Sequence, residues 1–163
     1  CEIENKLVLE DLVSQNAIAN KNYQIVHHEG PDARGIDCAL LYDPLHFKVI
    51  SSKSVKFTIP GNDRFRSRDQ LVVSGELLGE KIHIVVIHWP SRRGGESKSR
   101  PKRIAAANLS KFIVDSLQQI NKKAKVIIMG DFNDDPISPS IADFLKASGS
   151  TFLKNNQMYN TEL

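Results

Sequence analysis

The sequence predicts a mixed α/β layered fold, and three observations carry that expectation. After an amphipathic segment at 3–15, its periodic segments run as consecutive strands to residue 88, then a long helix, a strand, a polar loop and a further helix. Two nearly continuous apolar runs, GIDCALLY at 35–42 and KVIIMG at 125–130, have the length and composition of buried strands. Finally, 163 residues with 40% hydrophobic and 25% charged side chains and seven Phe suit one globular core and exclude disorder.

Each element has its own signal. Ile3, Leu7, Val8, Leu12 and Val13 recur at helical spacing, so a helix is expected over 3–15. A short strand is expected at 23–26, and the run at 35–42 is closed by Asp43-Pro44. Residues 47–59 alternate as one strand or a bent pair. Strands at 71–78 and 81–88 read as a hairpin through Gly79-Glu80. Ile104, Ala107, Leu109, Phe112, Ile113, Leu117 and Ile120 outline an amphipathic helix over 100–121, with Pro101 near its first turn. A strand at 125–130 then empties into the polar loop 131–135, before a helix over 136–147.

No apolar run approaches the roughly 18 residues of a membrane span. The chain opens at Cys1 without a Met, so it reads as a piece of a longer protein. The compartment, cytoplasmic or exported, stays open. Cys1 and Cys38 have no spaced Cys/His companions, so buried reduced thiols are expected rather than a zinc site.

The net charge of +3 is mild, but its distribution is uneven. Residues 92–103 hold Arg92, Arg93, Lys98, Arg100, Lys102 and Arg103 against one acid, Glu96. Arg64, Arg66 and Arg68 form a second basic group, whereas Asp131, Asp134, Asp135 and Asp143 gather the acids. A basic strip beside an acidic loop suits an anionic substrate meeting a bound cation.

Four segments carry chemistry. In IIMGDFNDDP a strand ends at Gly130, and Asp131 and Asn133 are expected to project the same way from an extended backbone. Such an Asp can orient or deprotonate a water, while the Asn donates to a phosphate oxygen without adding negative charge. In IHWPSRRGGES, His88 ends an apolar strand beside Pro90, placed to protonate or hydrogen-bond a phosphoryl oxygen. In RSRDQL, Asp69 opens the neighbouring strand and is expected to orient the His88 ring. In CEIEN, a carboxylate at the entry to a helix suits a hard divalent cation and equally an ordinary first-turn acid favoured by the helix dipole. His27, His28, His46 and His83 have no such setting and read as structural.

Taken together, CEIEN, RSRDQL, IHWPSRRGGES and IIMGDFNDDP resemble the endonuclease/exonuclease/phosphatase superfamily, and the linking GPDARGIDCALLYDP looks like its bacterial endonuclease-like branch. The resemblance implies a deoxyribonuclease I-like four-layered sandwich of two mixed β-sheets flanked by helices. It further implies phosphoester cleavage with Mg²⁺, or Mn²⁺ or Ca²⁺ in its place. By the same resemblance Glu2 is the metal ligand, Asp131 the water-activating Asp and Asn133 the phosphate-contacting Asn. His88 is the catalytic His with Asp69 as its partner, and Arg34 and Arg68 are phosphate-side arginines. The resemblance extends over residues 1–163 as one partial domain, lacking an Asn-bearing N-terminal strand and a C-terminal Asp-His segment. It places the strand at 125–130 in a second sheet, and it implies that the chain alone is nearly inactive.

The function expected is therefore metal-dependent phosphodiester hydrolysis by in-line attack of an Asp-activated water, with nucleic acid as substrate. Arg92, Arg93 and their basic neighbours would bind flanking phosphates. The alternatives are a phosphatase or phosphodiesterase for inositol phosphates or lipid head groups, and a non-catalytic anion-binding module. No protein partner is evident.

Overall fold

The Asn5 side chain accepts a hydrogen bond from the Val8 amide at 3.1 Å and caps the first helix, α1 (Lys6–Ser14). The helix begins three residues later than the apolar spacing suggests, because Ile3 is engaged elsewhere. Ile3 and Asp37 exchange backbone hydrogen bonds of 3.1 and 2.8 Å in an isolated antiparallel bridge.

The computed structural model describes residues 1–154 and 156–163, which divide into two compact units. The first comprises Cys1–His88 and Ala124–Asp131. In it, β1 (Gln24–His27) pairs antiparallel with β2 (Ala39–Tyr42), with Ile25 opposite Leu41. The strand expected at 35–42 loses its first half to a turn, where Gly35 adopts φ +68° and its N–H reaches the Asp32 carbonyl at 2.9 Å.

Three consecutive strands follow: β3 (Phe47–Val55), β4 (Gln70–Leu77) and β5 (Glu80–His88). β3 is one strand with a bulge between Val49 and Ser51, ending four residues short of 59. The β4–β5 turn is Leu78-Gly79, with φ of 50° and 84°, rather than Gly79-Glu80. Two successive left-handed residues match the twist of an antiparallel pair, and here Leu78 accepts the less favourable position. Val26, Cys38, Leu40, Phe47, Leu71, Val73, Ile82 and Val86 form the core of this unit. Tyr42 meets Phe47 edge to face at 5.7 Å. Cys38 is buried as expected, and burial pushes its thiol up to about 11, whereas Cys1 is exposed.

The strand β6 (Lys125–Asp131) corrects two expectations. It pairs parallel with β5 and is the outer member of a mixed four-stranded sheet, order β3-β4-β5-β6, rather than part of a second sheet. It is also not buried. Ile127 and Met129 are each nearly half exposed, because only β5 flanks the strand among the described residues. The sequence run is apolar enough for an interior strand, but composition does not say how many neighbours a strand acquires.

The second unit comprises Trp89–Lys123 and Phe132–Leu163. Its main element, α2 (Glu96–Ile120), starts four residues before 100. Pro101 therefore lies in the second turn, where the Ser97 carbonyl loses its usual donor. The buried face is Arg103, Ala106, Ala107, Ser110, Ile113 and Val114, while Phe112 and Ile120 point outward. In place of a helix over 136–147 there is one π-helical segment, Ser140–Leu145, packed on α2 and ended by Lys146 at φ +60°. A parallel pair, β7 (Ala147–Ser148) with β8 (Met158–Tyr159), completes the unit. No described helix is long and apolar enough to cross a membrane.

Candidate active site

β5 and β6 are joined through a helix and run parallel, so their C-terminal ends lie side by side. His88 and Asp131 are register partners there. The close approach depends on Gly130, which holds φ +132°, and a Cβ at that position would lie 2.0 Å from the Ile87 carbonyl oxygen. The glycine of the GDFND motif is thus a packing requirement of the strand pair.

The His88 ring is buried and held through one nitrogen. Its Nδ1 lies 3.2 Å from the Cys1 carbonyl, which can only accept, so Nδ1 carries the hydrogen. Nε2 is thereby turned toward Asp131, 3.5 Å from Oδ2. Burial lowers the proton affinity of His88 below the ordinary value; Arg68 adds to the effect, and Asp131 and Glu2 oppose it. The neutral ring is the favoured form at pH 7, flanked by two carboxylates.

Asp69 does not orient this ring. Although it stands two residues before Leu71, and His88 two residues after the paired Val86, its carboxylate is taken by other donors. The Phe57 amide donates to Oδ1 at 3.0 Å and the Ser54 hydroxyl to Oδ2 at 3.2 Å. A backbone N–H without a strand partner at the end of β3 competes for the carboxylate. Asp69 thus closes the 56–69 loop, and the backbone carbonyl of Cys1 orients the histidine in its stead.

Glu2 lies before α1, outside its first turn, with its side chain 59% exposed. The nearest cation, Arg34 Nη1, is 3.6 Å away, too far for a hydrogen bond. Its oxygens are therefore available to a hard divalent cation, and with Asp131 they supply the donor chemistry such an ion prefers. Arg34 and Arg68 are brought together by Asp32, which no sequence motif singles out as a site residue. Its carboxylate lies 3.5 Å from Arg34 Nε and 3.4 Å from Arg68 Nη1. It also accepts the Arg34 amide at 2.9 Å, an Asx turn that the string PDARG signals.

In the second unit, Asn133 adopts φ +50°, so the 131–133 stretch is not the extended segment expected. Its Nδ2 donates to the Trp89 carbonyl at 3.0 Å, and the neighbouring Phe132 packs edge-on to Trp89 at 5.0 Å. Half of the basic strip is already neutralised. Arg92 Nη2 lies 2.8 Å from Asp134 and 2.7 Å from Asp135, Arg100 pairs with Glu96 at 2.9 Å, and Arg103 is fully buried. Arg93, Lys98 and Lys102 remain exposed. Charge counting cannot separate these two groups, since the acids that pair with Arg92 lie 42 and 43 residues downstream and one acid, Glu96, serves both Arg100 and Arg103.

Among the described residues, His27, Glu29 and Asp37 also bring ligating atoms within 4.8 Å of one another. The His27 Nε2–Asp37 contact of 3.2 Å is a buried hydrogen bond, tying β1 to the segment bridged by Ile3. Burial raises the Asp37 carboxyl above its ordinary range, against the pull of His27.

A sequence-family model described as Endonuclease/Exonuclease/phosphatase family matches residues 1–163. No curated protein matches the chain. Among solved structures, the human Nocturnin catalytic domain with bound sulfate is 18% identical at a TM-score of 0.56, covering 91% of this chain and 62% of that one. ANGEL2, a 2',3'-cyclic phosphatase, is 18% identical at a TM-score of 0.63, covering 86% and 40%. D. rerio TDP2 complexed with single-strand DNA product is 16% identical at a TM-score of 0.54, covering 84% and 47%. The chain thus spans roughly half the length of these structures, and the likeness establishes a mixed α/β fold of the deoxyribonuclease I type.

Proposed function

Since the chain belongs to the endonuclease/exonuclease/phosphatase family, we propose that it carries the metal-dependent centre of a phosphodiester hydrolase acting on nucleic acid. The observation that supports this most is the pairing of His88 and Asp131 at adjacent parallel strand ends, 3.5 Å apart, with Glu2 acting on the same ring.

In this reading Asp131 orients the attacking water and draws its proton, a role for which its half-exposed carboxylate is accessible. His88, its Nδ1 hydrogen fixed on the Cys1 carbonyl, takes a proton from solvent at Nε2 as a phosphate approaches and donates it to a phosphoryl oxygen. Asn133, whose Nδ2 donates to the Trp89 carbonyl, takes the phosphate-contacting role that the family resemblance implies. Glu2 would hold a divalent cation, which when bound offsets charge on the non-bridging and leaving oxygens. Arg93, Lys98 and Lys102 would contact flanking phosphates, which favours a polymeric substrate over an isolated phosphate. The resemblance to a TDP2 structure holding single-strand DNA product supports the same choice.

The test is turnover of single-stranded DNA by the full-length protein with Mg²⁺. Asp131→Asn is expected to lower kcat by at least ~10²-fold with an unchanged melting temperature. Retained turnover would remove Asp131 from the chemistry. Cleavage of inositol phosphates in preference to DNA would replace the substrate class.

A further inference from the structure

Arg103 belongs by sequence to the basic strip, yet it is the most deeply buried charge in the second unit. Its three nitrogens are each occupied. Nε donates to Asp134 Oδ2 at 2.9 Å, Nη1 to the Ser99 hydroxyl at 2.9 Å, and Nη2 to Glu96 Oε2 at 2.5 Å. Asp134, also buried, is saturated in turn. Ser140 Oγ donates to Oδ2 at 2.5 Å and Arg92 Nη2 to Oδ1 at 2.8 Å. An ion pair this far from water is a poor source of stability, because desolvation offsets most of the attraction. What it does supply is a fixed geometry, since a buried charge has few alternative partners.

The residue before Asp134 is Asn133, held at φ +50° with its amide on the Trp89 carbonyl. A left-handed residue is held in place by what surrounds it. On one side Phe132 packs on Trp89, and on the other Asp134 is clamped to α2 and to Ser140. We infer that Arg103 is a positioning residue: through Asp134 it sets the direction of the Asn133 carboxamide toward the phosphate. The inference rests on the phosphate-contacting role of Asn133 given above. It removes Arg103 from the substrate-binding strip and makes it a determinant of turnover that no substrate touches.

The test is a double-mutant cycle in the full-length protein on single-stranded DNA. Arg103→Met is expected to lower kcat/KM about tenfold in the Asn133-containing protein and less than twofold in the Asn133→Ala background. Arg103→Lys should recover part of the loss. If Arg103→Met does not fold, Ser140→Ala, which deletes one donor to Asp134 and keeps the ion pair, is expected to show the same non-additivity at about threefold. Additive losses, with Arg103 and Asn133 acting independently, would overturn the inference. A side-chain ¹⁵N spectrum gives a readout independent of turnover. The Asn133 amide resonances should shift in Arg103→Met or Ser140→Ala, and unchanged resonances would also overturn it. Wild-type turnover by Asn133→Ala would instead overturn the phosphate role beneath the inference, and the amide resonances tell the two failures apart.

Discussion

The strand-end group and the Arg103–Asp134 group each set a basic side chain beside a carboxylate, and they are held in contrary ways. His88 and Asp131 approach only to 3.5 Å, with the carboxylate half exposed. The clamp closes at 2.9 Å with neither side chain appreciably exposed, and burial, hydroxyls and guanidinium saturate Asp134. Each therefore does what its geometry permits. An accessible carboxylate can exchange partners with water, cation or substrate, whereas a buried one bonded at both oxygens can only hold its neighbours still.

The contrast is broken most sharply by His88→Ala. If the strand ends perform chemistry and the clamp performs placement, this variant should lower kcat by at least ~10²-fold while thermal stability changes little. Steady-state turnover beside a melting curve reads both, and an unchanged kcat would make His88 a structural residue like Asp69.

The clamp should instead appear in the pH dependence of folding. Burial alone would raise the Asp134 carboxyl, but bonds from Ser140, Arg103 and Ser138 outweigh it and bring it down to about 2 from an ordinary 3.8. A depressed carboxyl stabilises the fold above the unfolded value and loses that contribution as pH falls between about 5 and 2. The full effect is about 2 kcal/mol, with about half gone by pH 3. Urea unfolding at pH 7 and pH 3 should show the steeper loss in the wild type than in Asp134→Asn. Equal losses would mean that the carboxylate is no better solvated in the fold than out of it.

A third comparison lies inside the basic strip. Changing Arg93, Lys98 and Lys102 to Glu should weaken DNA binding about tenfold or more and flatten the dependence of log K on log salt. Arg92, already shared by Asp134 and Asp135, should change that slope less when made Ala. Equal slopes for the two proteins would return the strip to a solvated surface.

The smallest effect is expected at Asp69. Asp69→Ala removes acceptors from Ser54 and Phe57 and should cost about 1–2 kcal/mol of stability, with kcat within about threefold of wild type. A hundredfold loss of kcat would restore it as the partner of His88.

Much of the fold was legible because local rules and tertiary demands agree. The β4–β5 hairpin, the bulged β3 and the long α2 follow from alternation, a Gly-bearing turn and apolar spacing. Disagreements fall where a distant group intervenes. Ile3 leaves the helix for Asp37, and Phe57 takes Asp69. Phe112 and Ile120 satisfy the helical period and still face outward, since periodicity outlines a stripe without saying what covers it.

By itself the sequence determined the mixed α/β class, the family, and the motifs that deliver Glu2, His88, Asp131 and Asn133. These depend on residue order and on chemistry that each residue type carries wherever it sits. Only the tertiary structure decided the partners. Parallel pairing set His88 beside Asp131, a bare carbonyl at Cys1 oriented the ring, and burial turned Arg103 from a surface cation into an internal clamp. Partners are chosen by competition among all donors and acceptors within reach, and reach is a property of the folded chain rather than of its spacing.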